Sequence, residues 1–289
     1  MITVIGDIAV DIVNMLRAPL ARGSDAPARV RVMPGGSGAN VAVWLARLDQ
    51  QVTFIGRVGD DPFGRWLTDD LAAEGVQPVL AVDAVRGTGV IQVLVEPDGE
   101  RTMAPDRGAN AFWNAGDVPE EVIARADLLH VVGYVLLDRS SQDGALQAMR
   151  YARAHRVPIS LDPSSHAPLL SLGTAEFWRL VGHVTLLLPN RHEAQALSGE
   201  TDPDAALTVL REHAAVVAIK LDRAGCVAAA GAERWQVPAS PVTIANATGA
   251  GDAFNAGFLA SWLADGDTGA ACLAGVTLGA QAAALATTR

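Results

Sequence analysis

The chain has 289 residues, half of them hydrophobic and 19% charged, with 32 Asp plus Glu against 22 Lys plus Arg for a formal charge of −10. That much apolar material suits a folded α/β protein whose sheet is buried on both faces, and it excludes a disordered chain. The acidic surplus argues against nucleic acid or an anionic membrane as partner, since either needs a basic face to displace counterions, and small-molecule partners are expected.

The first strand pattern covers residues 2–5, with Asp11 expected at its end. The start has no basic leader and meets Asp7 and Asp11 too early for a signal peptide, so a cytoplasmic protein is expected. No apolar run of about 18 residues reads as a membrane span. Strand patterns recur at 52–55, 128–132, 159–162, 184–188, 216–220 and 226–229. Between them, apolar residues fall at helical spacing over 40–48, 63–73, 143–155, 192–197, 204–213, 252–263 and 270–286. Such alternation predicts β-α-β crossovers, a mostly parallel central sheet and helices on both of its faces. Two stretches break the rhythm. Residues 28–32 alternate like a strand with one wet face, and residues 89–95 and 100–103 flank a Pro97-Asp98-Gly99 turn. The segments 14–33 and 86–104 therefore read as a small β-sheet lid on a core made of 1–13, 34–85 and 105–289.

Several constellations carry chemistry. Asp252 directly follows the turn Gly249-Ala250-Gly251 and opens an apolar helical run. Glycines let backbone N–H groups converge, and the helix adds the positive end of its dipole, so anionic oxygens can be held there. A carboxylate beside an anion cradle can accept the proton of an attacking hydroxyl; the competing reading is an ordinary N-capping Asp. Gly35-Gly36-Ser37-Gly38-Ala39-Asn40 opens another helix, where bare backbone and the Asn40 amide suit a hydroxyl-rich ligand, and Asp11 can accept from the same ligand. Asn190 and Glu193 fall at a strand's carboxyl end. They can hold Mg²⁺ through its waters, or they can simply form a capping box. Lys220, the chain's only lysine, ends another strand and leads into Asp222 and Gly225. It can neutralise nucleotide phosphate or lie solvated. The six histidines show no metal-ligand spacing, and Cys226 and Cys272 sit in apolar surroundings that suit reduced core thiols.

In this order, along the whole chain, these motifs resemble the ribokinase-like, or PfkB-type, carbohydrate kinase family. The resemblance rests on Gly35-Gly36-Ser37-Gly38-Ala39-Asn40 and Thr248-Gly249-Ala250-Gly251-Asp252, with Asn190-x-x-Glu193 between them. It implies a three-layer αβα sandwich with a β-sheet lid, and ATP- and Mg²⁺-dependent phosphorylation of a hydroxymethyl group on a sugar or nucleoside. It also implies Asp252 as catalytic base and Gly249, Ala250 and Gly251 as anion hole. Asp11, Gly35, Gly36 and Asn40 match sugar-binding positions, and Arg107 falls where the lid rejoins the core, near substrate or phosphate. Asn190 and Glu193 match the element that organises Mg²⁺ and phosphate, with Glu193 acting through water, while Lys220, Asp222 and Gly225 fall in the nucleotide-contacting loop. Lids of this family often pair, and the 28–32 strand offers an edge for a homodimer.

Three departures qualify the match. Asn246 stands where the family pattern has Asp, and the chain ends at Thr287-Thr288-Arg289, before the segment that commonly completes a monovalent-cation loop, so weak or absent K⁺ activation is expected. Asp222 replaces a frequent glycine. The first two departures keep open a non-catalytic sugar or nucleotide sensor; a nicotinamide oxidoreductase is the third reading. For the acceptor, residues 246–252 and 190–194 look like pseudouridine kinases, whereas Gly38-Ala39-Asn40 looks like ribokinases.

Overall fold

The computed structural model describes residues 1–20, 23–98, 100–243 and 248–285. In chain order, β1 (Ile2–Ile5) runs through the core, and β2 (Ala9–Leu16) and β3 (Ala28–Gly35) leave for a second sheet. The chain returns through α1 (Ser37–Arg47), β4 (Val52–Gly59), α2 (Pro62–Ala73) and β5 (Val76–Asp83), then leaves again as β6 (Gly89–Val95) and β7 (Arg101–Asp106). From there it stays in the core: α3 (Glu120–Ala124), β8 (Leu128–Val132), α4 (Tyr134–Leu137), α5 (Gln142–Ala154), β9 (Ile159–Asp162), α6 (His166–Leu172) and α7 (Thr174–Val181). It continues through β10 (Val184–Leu187), α8 (Arg191–Ser198), α9 (Pro203–Leu210), β11 (Ala214–Lys220), β12 (Cys226–Ala230), β13 (Glu233–Val237), α10 (Ala250–Asp265) and α11 (Thr268–Ala283).

The large sheet has the order β13-β12-β11-β10-β9-β8-β1-β4-β5. All its pairings are parallel except β11 with β12 and β12 with β13. Side chains alternate between two buried layers. Ile2, Val4, Leu186, Val216 and Ala218 pack with α1, α10 and α11, while Ile5, Leu187, Val217 and Ile219 pack with α5, α8 and α9. A sheet covered twice favours apolar side chains on both faces of its strands, which is why 2–5 and 184–188 are apolar at every position but Thr3 and Thr185. Because β1 pairs with both β4 and β8, the strand order reverses there, and the carboxyl ends of β1 and β8 border the crevice where open sheets bind ligands.

The second sheet has the order β3-β2-β6-β7, with β2 and β6 parallel and both outer pairs antiparallel. Here the structure corrects one expectation. Asp11 is not at the end of the first strand; β1 stops at Ile5 and Asp11 lies in β2, paired with Met33 and Ile91. The sheet is fastened to the core by Asn110. Its Oδ1 accepts from Ile8 N at 3.1 Å and its Nδ2 donates to Ile8 O at 2.7 Å, fixing the chain between β1 and β2.

Cys226 and Cys272 are free and buried. No helix among the described residues is long and apolar enough to cross a membrane.

Candidate active site

A cleft of about 1450 Å³ opens between the carboxyl ends of the large sheet and one face of the small one, which contributes Ala9, Asp11, Ile91, Val93, Met103 and Pro105. The helix α10 points into it. Gly249 takes a left-handed conformation (φ 83°) that turns the chain into this helix, and no side chain caps it. The first-turn N–H groups have no partner within an α-helix, and Gly249, Ala250 and Gly251 line the cleft, so these donors are available to a ligand there. The helix begins at Ala250, two residues before the sequence pattern, which places Gly251 and Asp252 in its first turn. A Cβ built on Gly251 would come near only Lys220 Nζ, 3.9 Å away, so the cradle is open.

Asp252 is anchored from the other side of the cleft. Ser37 Oγ donates to its Oδ1 at 2.6 Å and Asn40 Nδ2 to its Oδ2 at 2.9 Å. Its side chain is not an N-cap; it is half-buried and reaches across to α1. Burial pushes its pKa up to about 6, against the two hydrogen bonds that favour the charged form. A carboxylate in that range is ionised near neutrality yet basic enough to take a hydroxyl proton. Asn40 is itself buried, and its Oδ1 has no partner, leaving an acceptor for a ligand hydroxyl.

Asp11, buried in β2, lies so close to Gly35 that a Cβ there would fall 2.4 Å from its carboxyl carbon; glycine at 35 is what lets the carboxylate lie along the backbone. Gly36 forms the N-cap of α1. Arg107 follows β7 and forms ion pairs with Asp7 at 3.0 Å and Asp138 at 2.7 Å, so its guanidinium is held in the cleft wall.

Elsewhere on the cleft wall, Asn190 and Glu193 form the capping box of α8. Glu193 Oε1 and Oε2 accept from Asn190 Nδ2 at 2.6 Å and Asn190 N at 2.8 Å. Both carboxyl oxygens are engaged, so contact with a divalent cation would pass through water. Glu193 is buried, and burial with Asp162 nearby pushes its pKa up to about 7. Lys220 is not a solvated lysine. Its Nζ donates to Asp162 Oδ2 at 2.8 Å and to Asn255 Oδ1 at 3.2 Å. Asp222 is exposed at the start of a short 3₁₀ turn, and Gly225 closes that turn at φ 91°. No group of three or more His, Cys, Asp or Glu among the described residues could cage a metal directly. Asn246, on which the K⁺ expectation rests, and residues 287–289 lie outside the described residues.

Of the catalytic, substrate and cofactor residues expected from the sequence, all but Gly35 line this one cleft. Sequence reasoning missed Ser37, Asp7, Tyr134, Asp162 and Asn255. Ser37 lay inside a motif already noted, and Asp162 ends a strand at the same edge as Asn190. Tyr134 opens α4 beside the strand-order reversal, where its hydroxyl bonds to Ser165 and burial pushes its pKa up to about 12.

The sequence profile described as pfkB family carbohydrate kinase matches residues 1–289. The ribokinase of Bacillus subtilis (strain 168) is 30% identical over 268 residues, spanning 92% of this chain and 86% of that protein. The fructokinase of Klebsiella pneumoniae is 32% identical over 308 residues, spanning 99% and 93%. The crystal structure of adenosine kinase from Sinorhizobium meliloti matches with a TM-score of 0.90 and 27% identity, over 100% of this chain and 95% of that one.

Proposed function

The chain belongs to the pfkB family of carbohydrate kinases, and from that premise we propose that it transfers the terminal phosphoryl group of ATP to a hydroxymethyl group of a small sugar or nucleoside. The observation that carries this reading is Asp252. It stands in the first turn of α10 beside the open Gly249–Gly251 cradle, while Ser37 and Asn40 hold its carboxylate toward the face lined by Asp11.

In this reading the acceptor's hydroxyls bond to Asp11 and to the unpartnered Oδ1 of Asn40, which presents the reacting hydroxyl to Asp252. The Asp252 carboxylate takes its proton as the oxygen attacks phosphorus. The first-turn N–H groups of α10 receive the charge that builds on the phosphoryl oxygens, preorganised because the helix already points them there. A carboxylate and an amide are hard oxygen donors, so Glu193 and Asn190 fit a hydrated Mg²⁺, which when bound would neutralise phosphate charge. The aliphatic face of Ile91, Val93 and Pro105 excludes water that would otherwise compete as acceptor. Val30 and Val32, about half exposed at 55% and 50% on the edge strand β3, support pairing of two small sheets in a homodimer.

The test is ADP release over ribose, fructose, 2-keto-3-deoxygluconate, adenosine and pseudouridine, with wild type and Asp252→Asn. Turnover of one acceptor, lowered by roughly 10²–10⁴-fold in the variant with no fall in thermal midpoint, is the expected result. Binding of an acceptor and ATP without turnover by wild type would support a sensor and end the kinase reading.

A further inference from the structure

We propose that Asp162 and Asn255 form a clamp that holds the Lys220 ammonium under the Gly249–Gly251 turn, where it meets the transferring phosphoryl group; Asp162 is a positioning residue acting through Lys220. This rests on the kinase reading above and adds residues to its machinery.

The clamp joins three elements that meet at the floor of the cleft. Lys220 ends β11 and Asp162 ends β9, with β10 between them in the sheet. Lys220 Nζ donates to Asp162 Oδ2 at 2.8 Å and to Asn255 Oδ1 at 3.2 Å, and Asn255 Nδ2 closes the triangle by donating to the same Asp162 oxygen. Asn255 lies three residues beyond Asp252 on α10, so the residue that tethers the lysine and the residue proposed as base share one face of one helix. The ammonium is thereby set 3.9 Å from the point where a Cβ would stand on Gly251, inside the mouth of the anion cradle.

Stability alone does not account for this arrangement. A buried ion pair in a protein core roughly breaks even against apolar packing, and this one lies at the bottom of the functional cleft. The charge balance there supplies the reason. Asp162, Asp252 and Glu193 all face the cradle, and without a cation they would repel phosphate oxygens. Lys220 is the chain's single lysine, and its ammonium is the group a Cβ on Gly251 would approach, at 3.9 Å. A free four-carbon stem at a strand end would wander into solvent; two adjacent acceptors that are bonded to each other fix it at a cost in flexibility already met in the folded state. A third donor bond of the ammonium remains for the phosphoryl oxygen.

The test is a double-mutant cycle on Asp162→Asn and Lys220→Met, with kcat measured at saturating ATP and acceptor and the rate followed against pH. Lys220→Met should lower kcat about 100-fold and Asp162→Asn about tenfold or more. If Asp162 acts only through Lys220, the double variant is no slower than Lys220→Met alone. The charged and titratable groups that act on Asp252 are Asp162 from β9, Lys220 from β11 and Tyr134 from α4, with Ser37 and Asn40 bonded to it from α1; Asp7, Asp11, Arg107, Glu193 and Arg223 line the same cleft. Lys220→Met should therefore move the acid limb of the rate profile up in pH, and Asn255→Ser, which keeps every charge but loosens the tether, should move it the same way. A merely structural role for the tether would lower the rate without moving the limb. Wild-type kcat in Asp162→Asn, additive losses in the double variant, or an unmoved limb in Asn255→Ser overturn the clamp while leaving the kinase reading intact. Should Asp162→Asn fail to fold, the limb shifts of Lys220→Met and Asn255→Ser decide the matter, an unmoved limb in either overturning it. Wild type that turns over no acceptor overturns the kinase reading, and the clamp with it.

Discussion

The short bond from Ser37 Oγ to Asp252 Oδ1, 2.6 Å, gives the most direct handle on the proposed base. It is one of two side-chain hydrogen bonds that favour the carboxylate where burial would otherwise push the pKa above about 6. A hydrogen bond to a charged group contributes about 1.5–3 kcal/mol, and one pK unit corresponds to about 1.4 kcal/mol. Ser37→Ala should therefore raise the Asp252 pKa by about one to two units. The base works when ionised, so the acid limb of kcat/KM against pH moves up by the same amount. At pH 7 the wild-type base is about nine-tenths ionised, and that of the variant about one-tenth to one-half. Activity at pH 7 then falls roughly two- to tenfold and returns as the pH approaches 9. The measurement is coupled ADP release across pH 5.5–9.5 with saturating ATP and the acceptor held well below its KM. The sign of the stability effect follows from the same shift. Asp252 is harder to ionise folded than unfolded, so the folded state loses stability as pH rises from about 4 to 6, and Ser37→Ala extends that loss to higher pH. A rate lowered equally at every pH, with the acid limb unmoved, would refute the reasoning and leave Ser37 a packing residue.

Other substitutions separate folding from function. Gly251→Ala should leave the thermal midpoint unchanged or higher, since its Cβ meets only Lys220 Nζ at 3.9 Å, while raising the KM for ATP at least about tenfold because a methyl group enters the cradle. Gly225→Ala should destabilise by more than about 2 kcal/mol in urea titration, because φ is 91° and the new Cβ would stand 1.9 Å from Val237 O; a change below about 0.5 kcal/mol would contradict it. Asp83 accepts from Val85 N and Arg86 N and pairs with Arg57, and these contacts hold its pKa well below the usual carboxylate range despite burial. Its contribution is complete above about pH 4 and is lost only as the pH falls from there through the depressed folded pKa, so Asp83→Asn should lose about 2–3 kcal/mol at pH 7 and keep most of that loss at pH 3 in paired unfolding titrations; a loss already gone at pH 3 would contradict it.

What the sequence makes legible here is whatever is local. The Gly249–Asp252 turn and the Gly35–Asn40 helix start were readable because a turn, an anion cradle and a helix N-terminus are each written within about six residues. The central strands were readable because burial on both faces demands apolar runs. The edges were not. β5 contains Pro78 opposite Phe54, which looks like a break, yet at the sheet's margin Pro costs no ladder bond that a further strand would need. β13, Glu233–Val237, is half wet and alternates weakly. β2 follows β1 after three residues, Gly6-Asp7-Ile8, with no proline or glycine pair to announce that the chain has changed sheets, and that hid the true setting of Asp11.

The clamp on Lys220 was hidden for a different reason. Asp162 is 58 residues from Lys220 and 93 from Asn255, and nothing in the spacing predicts that β9 and β11 lie on either side of β10. A partial signal existed: Asn255 sits three residues after Asp252, and on a helix that spacing puts both on one face, so a polar side chain in an otherwise apolar helix pointed at whatever Asp252 faces. The strand pattern 159–162 likewise ended in a carboxylate at the sheet edge that carries Asn190 and Lys220. Each polar residue ending an apolar strand at that edge points toward the same crevice, because parallel strands bring their carboxyl ends together. Applied to Asp162, the rule that singled out Lys220 would have predicted its partner.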